Sequence, residues 1–315
     1  MLSTELCGIK LENPLLLAAG ILGTTAASMN NVLNSGAAGV VTKSFSKEPN
    51  KGYKNPTIAE VEGGIINAVG LSSSGVDLFK DELALINRDV SKDDNNDEPE
   101  INKPPKIAIA SIYGSTVDEF IHVSSKIENL IDMIELNISC PHAMAGYGSA
   151  IGQCPDNTFK VVNAVKNSVS VPVLTKLTPN VTDISEIAFS AQKAGSDGIT
   201  LINSLGPGMK IDINAGVPIL KNKFGGLSGP VIKPIAIKHV YDLYDKLDIP
   251  IVGVGGIKTC DDVVEFLYAG SSAIQIGTSI MCEGLEIFSK INYNLIKFMK
   301  EKGFKSIDEM IGYAH

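Results

Sequence analysis

Short, nearly uninterrupted apolar runs recur along the chain, each closing on a glycine or a polar residue. Leu15-Leu16-Leu17-Ala18-Ala19-Gly20 is the first. Such runs mark strands covered on both faces. Similar runs at 39–43, 107–111, 133–137, 172–176, 198–203, 249–253 and 272–277 complete eight predicted strands. The stretches between them carry helical signals: a helix capped by Ser28 and ending near Ser35-Gly36, one over about 75–89, and one starting at Thr116 with Glu119 completing a capping box. Further helices are predicted over about 157–168, 182–194, 231–246 and 284–302. Leu6 to Leu11 alternates as a short hairpin does, and residues 56–71, with Gly63-Gly64 between two apolar stretches, predict a hairpin inserted above the second strand. The alternation predicts a single (β/α)8 TIM barrel spanning 1–315, with an N-terminal hairpin, the inserted β-hairpin and a lid loop at the mouth. A doubly wound sheet is the rival architecture, and its first-turn glycine fingerprint is missing.

Composition narrows the picture. The apolar fraction of 44% and charged fraction of 20% fit a well-buried globular chain, and the formal charge of −8 with scattered basic residues argues against a generic nucleic-acid binder. No apolar run reaches the roughly 18 residues that span a bilayer, so no membrane association and a cytoplasmic location are expected. Five widely spaced cysteines without a Cys-x-x-Cys pair suggest neither a disulfide framework nor a metal or iron–sulfur site. The acidic run 91–100 reads as a solvated surface loop.

Barrel chemistry collects at the C-terminal strand ends. Here those ends are Ala19-Gly20, Lys43-Ser44, Ser111, Asn137 to Cys140, Lys176, Asn203-Ser204, Gly255-Gly256 and Gly277-Thr278. The glycines after strands seven and eight suit a phosphate held on backbone N–H groups. Lys43 and Lys176 would point into the mouth, where a buried ammonium needs an anionic partner or a depressed pKa; a carboxylate substrate, a cofactor ring that turns negative on reduction, and Schiff-base chemistry all remain open. Asn67, Asn137 and Asn203 offer donors and acceptors to a cyclic ligand. Cys140 opens a glycine-rich stretch up to Cys154 with the composition of a lid.

At these residues the chain resembles the class 1 dihydroorotate dehydrogenases, most closely the catalytic subunit of subclass 1B. The motifs that carry the resemblance are Asn67-Ala68-Val69-Gly70-Leu71, Glu135 to Pro141, Lys176 to Ile184, Gly225 to Pro230 and Gly253 to Ile257. It implies an FMN-containing barrel that oxidises dihydroorotate to orotate in pyrimidine biosynthesis. By position, Cys140 would be the base at C5 while a hydride leaves C6. Lys43, Asn67, Ala68, Val69, Gly70, Leu71, Asn137, Asn203 and Ser204 would hold substrate. Ala19, Lys43, Ser44, Asn137, Lys176, Ile202, Gly229, Gly255, Gly256, Gly277 and Thr278 would line FMN. The resemblance also implies a homodimer, and for subclass 1B a heterotetramer with a second subunit that passes electrons to NAD+ through FAD and a 2Fe-2S cluster.

Three positions depart from the family pattern: His142 stands where Asn is usual, Ser111 replaces an Asn after strand three, and Ala19 replaces a common Ser. Cys140-Pro141-His142, with Met144 beyond, also resembles the pyrimidine-reducing domain of dihydropyrimidine dehydrogenase, so a flavoenzyme acting on uracil or thymine is the alternative. A non-catalytic phosphate-binding barrel and a Schiff-base aldolase through Lys176 are more distant readings.

Overall fold

The computed structural model describes residues 1–88, 104–139 and 151–315. The chain opens with a hairpin, β1 (Thr4–Leu6) and β2 (Ile9–Leu11), and then enters the barrel through β3 (Leu15–Leu17), α1 (Ala26–Asn34) and β4 (Gly39–Val41). A second hairpin, β5 (Ile58–Val61) and β6 (Gly64–Asn67), precedes α2 (Val76–Ala84), β7 (Ile107–Ile112), α3 (Val117–Ile127) and β8 (Met133–Asn137). The chain continues through α4 (Pro155–Lys166), β9 (Val173–Leu177), α5 (Ile184–Lys193) and β10 (Gly198–Leu201). Four short strands follow: β11 (Leu205–Gly208), β12 (Ile211–Asp212), β13 (Val217–Pro218) and β14 (Gly225–Ser228). The last elements are α6 (Lys233–Tyr244), β15 (Ile251–Val254), α7 (Cys260–Tyr268), β16 (Ser271–Ile276), α8 (Ile280–Glu283) and α9 (Glu286–Lys302).

The eight predicted strands close a parallel barrel in the order β10-β15-β16-β3-β4-β7-β8-β9. Within each apolar run, alternate residues face opposite ways. Leu15 and Leu17 pack outward with the helices, whereas Leu16 joins Val41, Ile109, Met133, Leu174, Val252 and Ala273 inside. Leu6 and Leu11 of the first hairpin are fully buried against that interior set, so the hairpin plugs the N-terminal end. The inserted hairpin is larger than expected: β5 and β6 pair with β14 and β11 in one four-stranded antiparallel sheet over the C-terminal mouth.

Several boundaries move for identifiable reasons. The first helix is capped by Thr25, whose hydroxyl accepts from Ser28 N, so Ser28 lies inside the helix. The helix expected over 75–89 ends at Ala84. Glu119 sends its carboxylate to Ser115 N, while Thr116 Oγ1 accepts from Glu119 N, which is only half of the expected box. Helix α7 was not anticipated, although Thr259 and Asp262 form a full capping box at its start. The helix expected over 284–302 is α9, which starts two residues later at Glu286, and the short α8 precedes it. Among the described residues no helix is long and apolar enough to cross a membrane.

Lys106 joins two connections on the outside of the barrel. Its ammonium donates to Glu12 Oε1 at 3.0 Å and to the carbonyls of Leu33 at 2.6 Å and Ala37 at 3.1 Å, at the C-terminal end of α1 where helix carbonyls lack partners. Lys106→Met keeps the stem and removes the donors, and is expected to lower stability by about 1–3 kcal/mol. Urea unfolding checks this; a loss under about 0.5 kcal/mol, the level of an exposed pair, would contradict it.

Candidate functional site

The same alternation that fills the barrel base with apolar groups places a polar layer directly above it. Glu135 follows Met133 at the next inward position of β8, Lys176 follows Leu174 on β9, and Gln275 follows Ala273 on β16. Glu135 is 0% exposed and Lys176 6%. Burying both charges is costly unless each is paired and hydrogen-bonded. Here the set is closed: Glu135 Oε1 lies 3.3 Å from Lys176 Nζ, and Glu135 Oε2 accepts from Gln275 Nε2 at 2.6 Å and Thr200 Oγ1 at 3.1 Å. Gln275 Oε1 accepts from Lys176 Nζ at 3.0 Å, which fixes the orientation of its amide. Lys176 is therefore an ion-paired ammonium, suited to facing negative charge and not to nucleophilic attack.

Above this layer opens a cavity of about 760 Å³ bounded by the barrel strand ends and the four-stranded sheet. Its size falls within the range of roughly 300–1,000 Å³ typical of small-molecule sites. Asn137 Nδ2 donates to Ser44 Oγ at 3.1 Å, and Ser44 Oγ shares a 2.8 Å hydrogen bond with Ser111 Oγ. Asn137 Oδ1 accepts from Asn203 Nδ2 at 3.4 Å, so the two amides meet across the cavity wall.

At one end, glycine is required by geometry. Gly256 has φ +78°, and a Cβ there would lie 2.8 Å from both Gly229 O and Lys233 Cβ. Gly229, with φ +102°, would put a Cβ 2.8 Å from Gly64 Cα. Among the described residues, the amides of Gly255, Gly256, Gly277 and Thr278 donate to no protein acceptor, which leaves a group of donors on the cavity wall. The loop is held from behind by Asp262, whose carboxylate accepts from Lys258 N at 2.8 Å, Thr259 N at 2.7 Å and Lys233 Nζ at 2.5 Å. Burial works to raise the Asp262 pKa, but these donors outweigh it and hold the carboxyl below its ordinary value. Lys233 is thus engaged by Asp262 and Glu265.

Lys43 lines the same cavity. Burial pushes its pKa below the ordinary lysine value, and among the described residues its ammonium has no acceptor. Beside it in the cavity wall run Asn67 to Leu71, with Asn67 Nδ2 tied to Gly226 O at 3.3 Å.

Every expected substrate- and cofactor-facing residue that the structure describes lines this one cavity, from Ala19, Lys43 and Ser44 through Asn67–Leu71, Asn137 and Lys176 to Ile202, Asn203, Ser204, Gly229, Gly255, Gly256, Gly277 and Thr278. Cys140, His142 and Met144, and with them the expected lid, lie outside the described residues, as does the acidic run 91–100. Ser111 is a correction: it is fully buried within β7 and, among the described residues, reaches the wall through Ser44. Glu135 and Gln275 were missed as site residues, though a charge and an amide interrupting two buried runs were the available signal.

Fold and cavity together define a (β/α)8-barrel protein with a small-molecule site at its C-terminal mouth. The family model for dihydroorotate dehydrogenase matches residues 1–299, and the chain belongs to that family. A dihydroorotate dehydrogenase B (NAD(+)) catalytic subunit from Methanothermobacter thermautotrophicus is 56% identical over 315 residues, covering 100% of this chain and 99% of the relative. The protein of the same name from Methanocaldococcus jannaschii is 49% identical, with 100% and 98% covered. The crystal structure of DHODH from Eimeria tenella in complex with ferulenol superposes with a TM-score of 0.82 at 23% identity, covering 100% of this chain and 88% of that one, and shares the fold.

Removing Glu135 strands Lys176 in the barrel. Glu135→Leu is expected to cost about 3–5 kcal/mol in denaturant unfolding, and Glu135→Leu with Lys176→Met to recover much of it, because a buried apolar pair replaces an unpaired charge. A double variant no more stable than the single one would contradict this pairing.

Proposed function

We propose that this chain oxidises dihydroorotate to orotate, with FMN as its resident cofactor, as the catalytic subunit of a B-type dihydroorotate dehydrogenase. The carrying observation is that one cavity is lined by two anion-accepting groups: backbone amides at 255–256 and 277–278, and Lys43 with the 67–71 segment. A phosphorylated cofactor beside a carboxylate substrate needs that pairing. The names of the relatives favour dihydroorotate over uracil or thymine.

The donor set fits FMN. Gly229, Gly255, Gly256, Gly277 and Thr278 would hold its phosphate, while Ala19, Ser44, Asn137, Lys176 and Ile202 would line the remainder. When bound, FMN supplies the two-electron acceptor for the hydride released from substrate C6. Lys176 keeps a positive charge at the cavity floor, compensated by Glu135 until further negative charge arrives. Lys43 would take the substrate carboxylate, and Asn67, Asn137, Asn203 and Ser204 the ring C=O and N–H groups. Asn137 and Ser139 line the cavity, and Cys140 is the next residue along the chain. Its thiolate would remove the C5 proton as the hydride leaves C6, so that the C5–C6 double bond forms. The name "catalytic subunit" carried by the relatives supports a separate electron-transfer subunit, here assigned FAD and a 2Fe-2S cluster, on a homodimeric core.

The direct test is orotate formation from dihydroorotate with a dye acceptor; flavin-loaded protein that forms none refutes the reading. Cys140→Ala is expected to keep FMN and lose turnover by about 10²–10⁴-fold, the usual range for a lost general base. Unchanged turnover would remove Cys140 from this role.

Lys43 also sets a pH dependence. Because burial lowers its pKa, the free protein sheds this proton at a lower pH than an exposed lysine would, and an anion binds the protonated form. Orotate affinity should therefore fall as pH rises through that lowered pKa, below the ordinary value of 10.5. In Lys43→Met, binding should be weaker throughout and the fall absent. A titration of orotate against pH in both proteins checks it, and an identical alkaline fall in the variant would contradict it.

A further inference from the structure

We infer that Asn50 and Tyr113 are positioning residues that set the polarity of the 67–71 segment, turning its carbonyls away from the cavity and leaving its amides to an anionic ligand. This rests on the substrate reading above. Gly70 and Leu71 have φ +72° and +53°, and for Leu71, which carries a Cβ, that left-handed conformation is unfavourable without outside support. The support comes from the 50–53 stretch and the end of β7. Asn50 Nδ2 donates to Gly70 O at 3.0 Å and Leu71 O at 3.1 Å. Tyr113, 8% exposed, donates its hydroxyl to Leu71 O at 2.7 Å. Asn50 Nδ2 also lies 3.2 Å from that hydroxyl oxygen, so one amide group ties the three acceptors together.

The remaining carbonyl is held by the same stretch. Val69 O accepts from Tyr53 N at 3.0 Å, and a Cβ on Gly52 would lie 2.3 Å from Val69 O, so only glycine admits this approach. Asn50 is itself fixed: its Oδ1 accepts from Gly52 N at 3.0 Å, and its backbone exchanges two 2.8 Å hydrogen bonds with Ser73. All three carbonyls from Val69 to Leu71 are thus occupied. Among the described residues, the amides of Val69, Gly70 and Leu71 have no acceptor, and all three residues line the cavity. The carbonyls of Val69 and Gly70 share peptide planes with the N–H groups of Gly70 and Leu71, so pinning those carbonyls on one side presents these two N–H groups on the other, and the clamp decides which dipole end the cavity receives.

Asn50 is exposed and its hydrogen bonds compete with water, so the effect of removing it is a modest one. In Asn50→Ala, orotate Kd and dihydroorotate KM are expected to rise about tenfold, and in Tyr113→Phe about threefold. FMN content, melting temperature and kcat should stay near those of the parent. Because both side chains hold Leu71 O, the double variant should depart from the product of the single effects. The readout is orotate binding by perturbation of the flavin spectrum, alongside the KM and kcat split. Parent-like orotate affinity in both single variants, or losses of FMN and melting temperature that account for the change, would overturn the assignment. If the parent itself fails to bind orotate, the substrate reading falls first.

Discussion

The buried ion pair between Glu135 and Lys176 is the constraint around which the barrel's upper half is arranged. An ammonium at the floor of an apolar barrel requires a countercharge and a further acceptor: Glu135 on β8 supplies the charge and Gln275 Oε1 on β16 the acceptor, while Thr200 on β10 and Gln275 Nε2 donate to Glu135. The layer separates two regimes. Below it, Leu16, Met133, Leu174 and their neighbours make an ordinary packed core closed by the N-terminal hairpin. Above it, the strand ends face a cavity whose walls are polar wherever inward-facing alternation continues past the strand.

On the proposed reading, that separation lets one site accommodate two anions without a second charge network. The phosphate-accepting end uses backbone amides, and the nearby Lys233 is consumed by Asp262 and Glu265 in shaping the loop. For the proposed substrate, Lys43 is the cation, and the amides of 69–71 line the same cavity. Lys176 lines the same cavity and is already paired, so it can meet added negative charge without being an open anion site itself. Asn50 and Tyr113 repeat at the substrate end what Asp262 does at the cofactor end: a side chain outside the ligand's reach orients the backbone that binds it.

The eight barrel strands were legible because fully covered parallel strands are short apolar runs ended by glycine or polar residues, and the cavity-lining residues followed from the strand ends and the family motifs. Glu135 and Gln275 were hidden within those same runs, where period-two alternation is masked by burial on both faces. Helix α7 escaped notice because only nine residues separate its cap from Ala269, although the Thr259 and Asp262 box marked its start. Strands β11 and β14 consist largely of glycine, proline and serine, whose intrinsic preference is against strands; the pairing of β14 with β6, and of β11 with β14, makes them. The role proposed for Cys140 rests on its motif, because Cys140 lies outside the described residues.

Anaerobic titration of the FMN-loaded protein with dihydroorotate tests the central claim most directly. If the cavity holds cofactor and carboxylate substrate side by side as described, the oxidised flavin spectrum should bleach on addition of dihydroorotate, with orotate appearing in equal amount, and the riboflavin-loaded protein should hold its flavin more weakly for want of the phosphate. A flavin spectrum unchanged by dihydroorotate, in protein shown to contain FMN, would contradict the account.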